Sequence, residues 1–203
     1  SDAYTDVRKA MVSLDRVSVI LDRKSEIAEH PDQKSKTDFS SSIELRDVEF
    51  SYSPDKPVLK SVSFTINKGE KVALVGSSGS GKTTIANLLT RMYDAQKGSI
   101  CLDGIPINSI KLKDLRTLFG TVTQESILFS DTIANNIRYG SLREVSDEEI
   151  REAARIAYID DFVETLPHQY NQMLQPKASN LSGGQKQRVC IARAIVGNPP
   201  ILI

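Results

Sequence analysis

The sequence predicts an α/β fold with a largely parallel sheet, and three observations carry that expectation. Apolar runs of strand length alternate with segments of helical period. One run, "KVALVG" (71–76), is continuously apolar, as in a strand covered on both faces. A glycine-rich turn, "GSSGSGKT" (76–83), then leads from that run into a helix. Composition fits this class. The chain has 203 residues, 39% hydrophobic and 26% charged, which is ordinary for a globular domain with an appendage.

In chain order, residues 4–21 place Val7, Met11, Leu14, Val17 and Leu21 at helical spacing, opposite Asp6, Lys9, Asp15 and Arg16. That is an amphipathic helix with one apolar stripe. Residues 22–42 are polar, without apolar period, and read as a linker. A compact unit begins at Ile43. "IELRDVEFSY" alternates as a strand, with Phe50 and Tyr52 on one face, and "VSFTI" (62–66) is a second strand. After 71–76 a helix is expected from about Gly81 to Tyr93, burying Ile85, Leu88, Leu89 and Met92. Strands follow at 99–104 and 118–124.

Residues 126–166 turn helical. Ser146 and Glu149 form a capping box, with Val145 and Ile150 as the hydrophobic staple beside it. A last helix over about 183–196 stops at Gly197, ahead of Pro199 and Pro200. "ILI" (201–203) opens another buried strand, and no internal repeat is visible.

Several function classes are disfavoured. Lys plus Arg number 26 and Asp plus Glu 26, so no basic field points to nucleic acid. Cys101 and Cys190 lack metal-ligand spacing and read as small buried hydrophobes in a reducing compartment. No stretch approaches the roughly 18 apolar residues of a membrane span, and no signal peptide opens the chain. The start at Ser1 without Met reads as part of a longer parent.

The first glycine-rich turn fits G-x-x-x-x-G-K-[ST] in the strand–turn–helix context that the motif requires. Gly76, Ser77, Ser78, Gly79, Ser80 and Gly81 are expected to turn their N–H groups onto one anion, helped by the helix start behind them. Lys82 reaches the β- and γ-phosphates, the Thr83 hydroxyl ligates Mg²⁺, and Thr84 is placed for a further phosphate oxygen. The expected ligand is a nucleoside triphosphate. A second glycine pair opens the last helix, where Ser182, Gly183, Gly184 and Gln185 satisfy the S-x-x-Q cap pattern. A cap alone needs no glycines, which cost about 1 kcal/mol each against Ala inside a helix. On spacing alone, a structural cap and an anion site stay equally open.

"LSGGQKQR" (181–188), taken with "GSSGSGKT", resembles the signature of ABC-transporter ATPase domains, a family with a P-loop NTPase core, N-terminal antiparallel strands and a helical subdomain. The similarity runs from about Ile43 to Ile203 and includes "TVTQESILFSDTIANNI" and "CIARAIVGNPPILI", arranged as in exporters. "RVSVILDRKSEI" resembles the segment that joins their last membrane helix to the ATPase domain. The resemblance implies residues 1–42 as helix and linker after a transmembrane domain of the same polypeptide. Residues 43–203 would be a partial ATPase domain, with the helical subdomain at about 125–190.

The resemblance also implies roles. Tyr52 would stack on adenine, although as sequence it reads first as a strand partner of Phe50. Gln124 would ligate Mg²⁺ and sense the γ-phosphate, and with Lys82 would serve catalysis. Ser182, Gly183, Gly184 and Gln185 would contact ATP bound to a second ATPase domain, paired head to tail. The activity implied is ATP hydrolysis driving export, at the cytoplasmic face of the cell membrane. A soluble ABC-type ATPase and a nucleotide-binding module without hydrolysis are the alternatives. The amphipathic helix favours the exporter.

Two departures stand out. "QYNQMLQPKASN" (169–180) lacks the acidic, glycine-containing turn that precedes the signature in such exporters. "ILI" matches the strand after which the family carries an Asp for Mg²⁺, a Glu base and later a His. The sequence ends before them, so a fold incomplete at its C-terminus is expected. Residues 1–203 alone are then expected to hydrolyse ATP no faster than a Lys82→Ala control, and to aggregate.

Overall fold

The computed structural model describes residues 2–22, 27, 29 and 31–203. The first amphipathic stretch forms one helix, α1 (Asp2–Leu21). Val7, Met11, Leu14, Val17 and Leu21 share its stripe, and all five are exposed. The Asp6 side chain, and residues 23–26, 28 and 30 of the polar stretch, lie outside the described residues.

An antiparallel sheet comes next. β1 (Ser42–Ser53) and β2 (Lys56–Asn67) form a hairpin, β3 (Lys97–Leu102) flanks β1, and β4 (Ile105–Pro106) flanks β3. Alternation sends Ile43 and Leu45 inward, and an irregularity between Leu45 and Val48 keeps Val48 and Phe50 on that same buried face. Against it lie α2 (Lys82–Leu89) and α3 (Leu112–Thr117), whose Leu88 and Leu115 complete a core with Leu59, Ile100, Leu102 and Ile110.

A second hydrophobic core is all-helical. α4 (Ile133–Arg138), α5 (Asp147–Ile156), α6 (Asp160–Glu164) and α7 (Gly183–Ile195) gather Ile133, Ile137, Ile150, Ala154, Val163 and Val189. The capping box that opens α5 forms as expected, with both reciprocal bonds between Ser146 and Glu149. Val145 and Ile150 are buried in the same cluster. β5 (Phe119–Gly120) and β6 (Ile201–Leu202) pair in parallel, and their ladder continues to Val122, whose N–H donates to Ile203 O at 2.8 Å. Cys101 and Cys190 are both buried and free, as their isolation in the sequence implied.

Four local expectations are corrected. Residues 71–76 form no strand: none of the described residues pairs with them, and Val72, Leu74 and Val75 are exposed, Val75 to 89%. An apolar run becomes a buried strand only when a neighbour takes up its backbone N–H and C=O groups. The helix after it ends at Leu89, where Thr90 Oγ1 donates back to Ala86 O and Arg91 turns left-handed (φ 51°), which leaves Met92 exposed. "ILI" is not buried: Leu202 is 60% exposed, because β6 has β5 as its single partner strand among the described residues.

The fourth concerns the polar stretch. From Gln33 to Ser41 it lies against the sheet. Lys36 Nζ pairs with Asp103 at 2.8 Å, both side chains buried, and Asp103 also accepts from the N–H groups of Ser40, Ser41 and Ser42. Although burial opposes its charge, these donors hold the Asp103 carboxyl well below the usual carboxylate range. With Phe39 the single apolar residue buried there, no period announced this docking.

Candidate functional site

The loop 76–83 wraps the start of α2. Gly79 (φ 81°) and Gly81 (φ 93°) adopt left-handed backbone conformations, which favour residues without a Cβ. Gly81 is also tightly placed, since a Cβ there would sit 2.6 Å from Leu59 Cδ2. It caps α2 without a side-chain hydrogen bond. The first-turn N–H groups therefore have no capping side-chain acceptor, which leaves them free to receive an anion. Lys82 is half-buried and bends back over the loop, donating to Gly76 O at 2.9 Å, Ser77 O at 2.7 Å and Ser80 Oγ at 3.2 Å. Those oxygens are neutral, so a phosphate placed in the loop would compete for the ammonium with a charged partner. Ser78 and Gly79 form the exposed tip, and Thr83 is exposed beside it.

Tyr52 reaches this helix from the end of β1. Its ring packs edge-on against Phe50 (4.9 Å, 90°) and Tyr93 (5.2 Å, 87°), while half its surface stays exposed. Its hydroxyl lies 3.2 Å from Thr84 Oγ1 and accepts from Asn87 Nδ2 at 3.4 Å. Tyr52 packs with Phe50, as its place in the strand implied, and about half of its surface remains open. Thr84, expected to face a phosphate, is 4% exposed and bonded to Tyr52 instead. Its helical phase turns it away from the loop mouth, toward the sheet.

Gln124 lies in an exposed bend just past the β5 ladder. Behind it, Arg193 of α7 and the fully buried Asn136 of α4 hold the segment 127–132. Sequence reading missed both residues. The available signals were a polar residue inside the apolar turn "IANNIR" and a lone cation inside "CIARAIV".

The second glycine pair sits at the start of α7. Ser182 Oγ accepts from Gln185 N at 3.3 Å, and Gln185 Oε1 accepts from Ser182 N at 2.8 Å, a complete capping box. Gln185 thus spends its side chain on the helix itself. Gly183 and Gly184 are exposed, and a Cβ added at either meets nothing within 4 Å. Lys82 and Tyr52 both converge on α2. Among the described residues no hydrogen bond joins Gln124 or Ser182–Gln185 to that loop.

A family model described as ABC transporter matches residues 59–203. The chain is 45% identical over 197 residues to an ATP-dependent lipid A-core flippase of Saccharophagus degradans, covering 97% of this chain and 33% of that protein. Against a flippase of the same name from Vibrio cholerae it is 49% identical over 162 residues, covering 79% and 28%. A solved structure of a bacterial Atm1-family ABC exporter with ATP bound superposes with a TM-score of 0.89 at 40% identity, covering 98% of this chain and 35% of that one. The chain spans about a third of the length of these relatives.

Proposed function

The chain belongs to the ABC transporter family, and from that premise we propose that it is the ATP-binding and ATP-hydrolysing part of an exporter. One observation carries the reading: Lys82 Nζ lies over the carbonyls of a glycine loop whose helix start has no side-chain cap. Phosphate oxygens suit such a place because N–H dipoles and one mobile cation converge on it. Gly76, Ser77, Ser78, Gly79, Ser80 and Gly81 cradle the phosphates, and Lys82 neutralises the β- and γ-groups. Tyr52 offers its open face to adenine, its other contacts fixing the ring. The donor set fits Mg²⁺, with Thr83 and Gln124 as neutral oxygen ligands. That ion, when bound, would draw charge from the terminal phosphates.

Ser182, Gly183 and Gly184 complete the site of a second ATPase domain placed head to tail. The open space over both glycines supports this, as does a cap that needs no outside help. The separate helical core supports a helical subdomain at about 125–190 within a domain spanning 43–203. Residues 1–42 join that domain to membrane helices of the same polypeptide, at the cytoplasmic face of the membrane. Relatives named for lipid A-core give a lipid as the first cargo to test.

The test is a fluorescence titration with ATP. Lys82→Ala is expected to lose most affinity, and Tyr52→Ala to weaken ATP binding while leaving inorganic phosphate binding unchanged. Equal ATP affinity in wild type and Lys82→Ala would overturn the reading.

A further inference from the structure

We infer that Arg193, together with Asn136, is a positioning residue for Gln124, tying the loop that carries it to the helix that begins with Ser182. The inference rests on the role given to Gln124 above. Arg193 Nε donates to Asn136 O at 2.8 Å, Nη1 to Ile127 O at 2.9 Å, and Nη2 to Asn136 Oδ1 at 2.9 Å. Asn136 passes the restraint on: its Oδ1 accepts from Phe129 N at 2.9 Å, and its Nδ2 donates to Phe129 O and Thr132 O, each at 3.0 Å. The Phe129 ring lies under the guanidinium at 5.6 Å. Directly through Ile127 or by way of Asn136, these bonds hold a segment that starts three residues after Gln124. On the other side, two residues before Gln124, Val122 N donates to Ile203 O.

The fork has a fixed origin. A Cβ on Gly140 would fall 1.6 Å from Arg193 O, and one on Gly120 would fall 2.2 Å from Ala194 O. Two chain segments therefore lie directly against the backbone of the last turn of α7. If Arg193 only filled space, an apolar side chain would do it without desolvating a charge. Burial pushes the guanidinium's pKa down, and all three bonds go to neutral oxygens. What arginine adds is a rigid planar fork that sets three acceptors at once. One rigid helix thus carries the glycine start at one end and the clamp on the Gln124 loop at the other.

The experiment uses the full-length protein that contains this chain. In Arg193→Lys a point charge replaces the fork. kcat for ATP is expected to fall on the order of ten- to a hundredfold, as for a displaced catalytic group. KM for ATP should stay close to wild type, the pattern of an interaction made beyond ground-state binding. With Mn²⁺ as probe, the ATP-loaded protein should show weaker metal affinity in Arg193→Lys, as in Gln124→Ala. The double variant should be no worse than Gln124→Ala alone. Asn136→Asp keeps shape and acceptor but loses the amide donor, so it carries the same test should Arg193→Lys fail to fold. Wild-type Mn²⁺ affinity in these variants, or full additivity with Gln124→Ala, overturns the inference. Unchanged ATP affinity in Lys82→Ala overturns instead the functional reading beneath it.

Discussion

Two helices of this molecule begin on glycine, and they use it for opposite reasons. At α2 the glycines serve the chain's own path. Gly81 takes φ 93° with Leu59 pressed against the place where a Cβ would go, and the helix has no side-chain cap. At α7 the backbone asks for no glycine. Ser182 and Gln185 cap the helix completely, and the space over Gly183 and Gly184 is open. Glycine in the first loop is a conformational requirement. In the second it leaves a surface clear, as the proposed approach of a second ATPase domain requires.

Substitutions should separate the two. Gly81→Ala is expected to cost the most, about 1–3 kcal/mol in thermal or urea unfolding, from left-handed strain together with the clash at Leu59. A cost below about 0.5 kcal/mol would show that the loop relaxes freely. Ser182→Ala should cost about 1 kcal/mol through loss of the cap, read as an earlier urea midpoint at unchanged slope. Gly183→Gln should leave stability within about 0.5 kcal/mol of wild type, yet abolish ATP-driven dimerisation in light scattering. If it instead removed nucleotide binding by the monomer, α7 would act within one chain.

The smallest effect compares two capping boxes. Glu149, at the third position of α5, is held down to about 2 by the hydrogen bond from Arg143 and by Ser146 N–H. Its counterpart in α7 is Gln185, which does not ionise. A depressed carboxyl pKa adds stability that is full above the unfolded value near 4.5 and is lost as pH falls through about 2. First-turn amides of α5 should therefore lose exchange protection between those pH values, after correction for intrinsic rates, while those of α7 hold theirs. Glu149→Gln should remove the contrast. Equal acid loss in both helices would assign it to global unfolding.

Much of the candidate site was legible because its signals are local. A glycine turn leading into a helix and an S-x-x-Q cap are set by residues within a turn of each other. Tyr52 was legible in part, since alternation puts it beside Phe50, but its bond to Thr84 joins residues 32 apart. The clamp of Arg193 on Ile127 spans 66 positions, and Asp103 reaches Ser40 across 63. Neither leaves a periodic trace.

The sequence by itself determined where most helices lie, both capping boxes and the glycine turn that opens α2. Each depends on backbone preferences and on hydrogen bonds that close within a few residues. Tertiary structure alone decided which apolar runs become buried strands. It left 71–76 exposed for want of a partner, and it drew the polar stretch from Gln33 onto the sheet through Lys36 and Asp103. A strand's hydrogen bonds and a buried ion pair both need groups brought from far along the chain, and only the folded arrangement supplies them.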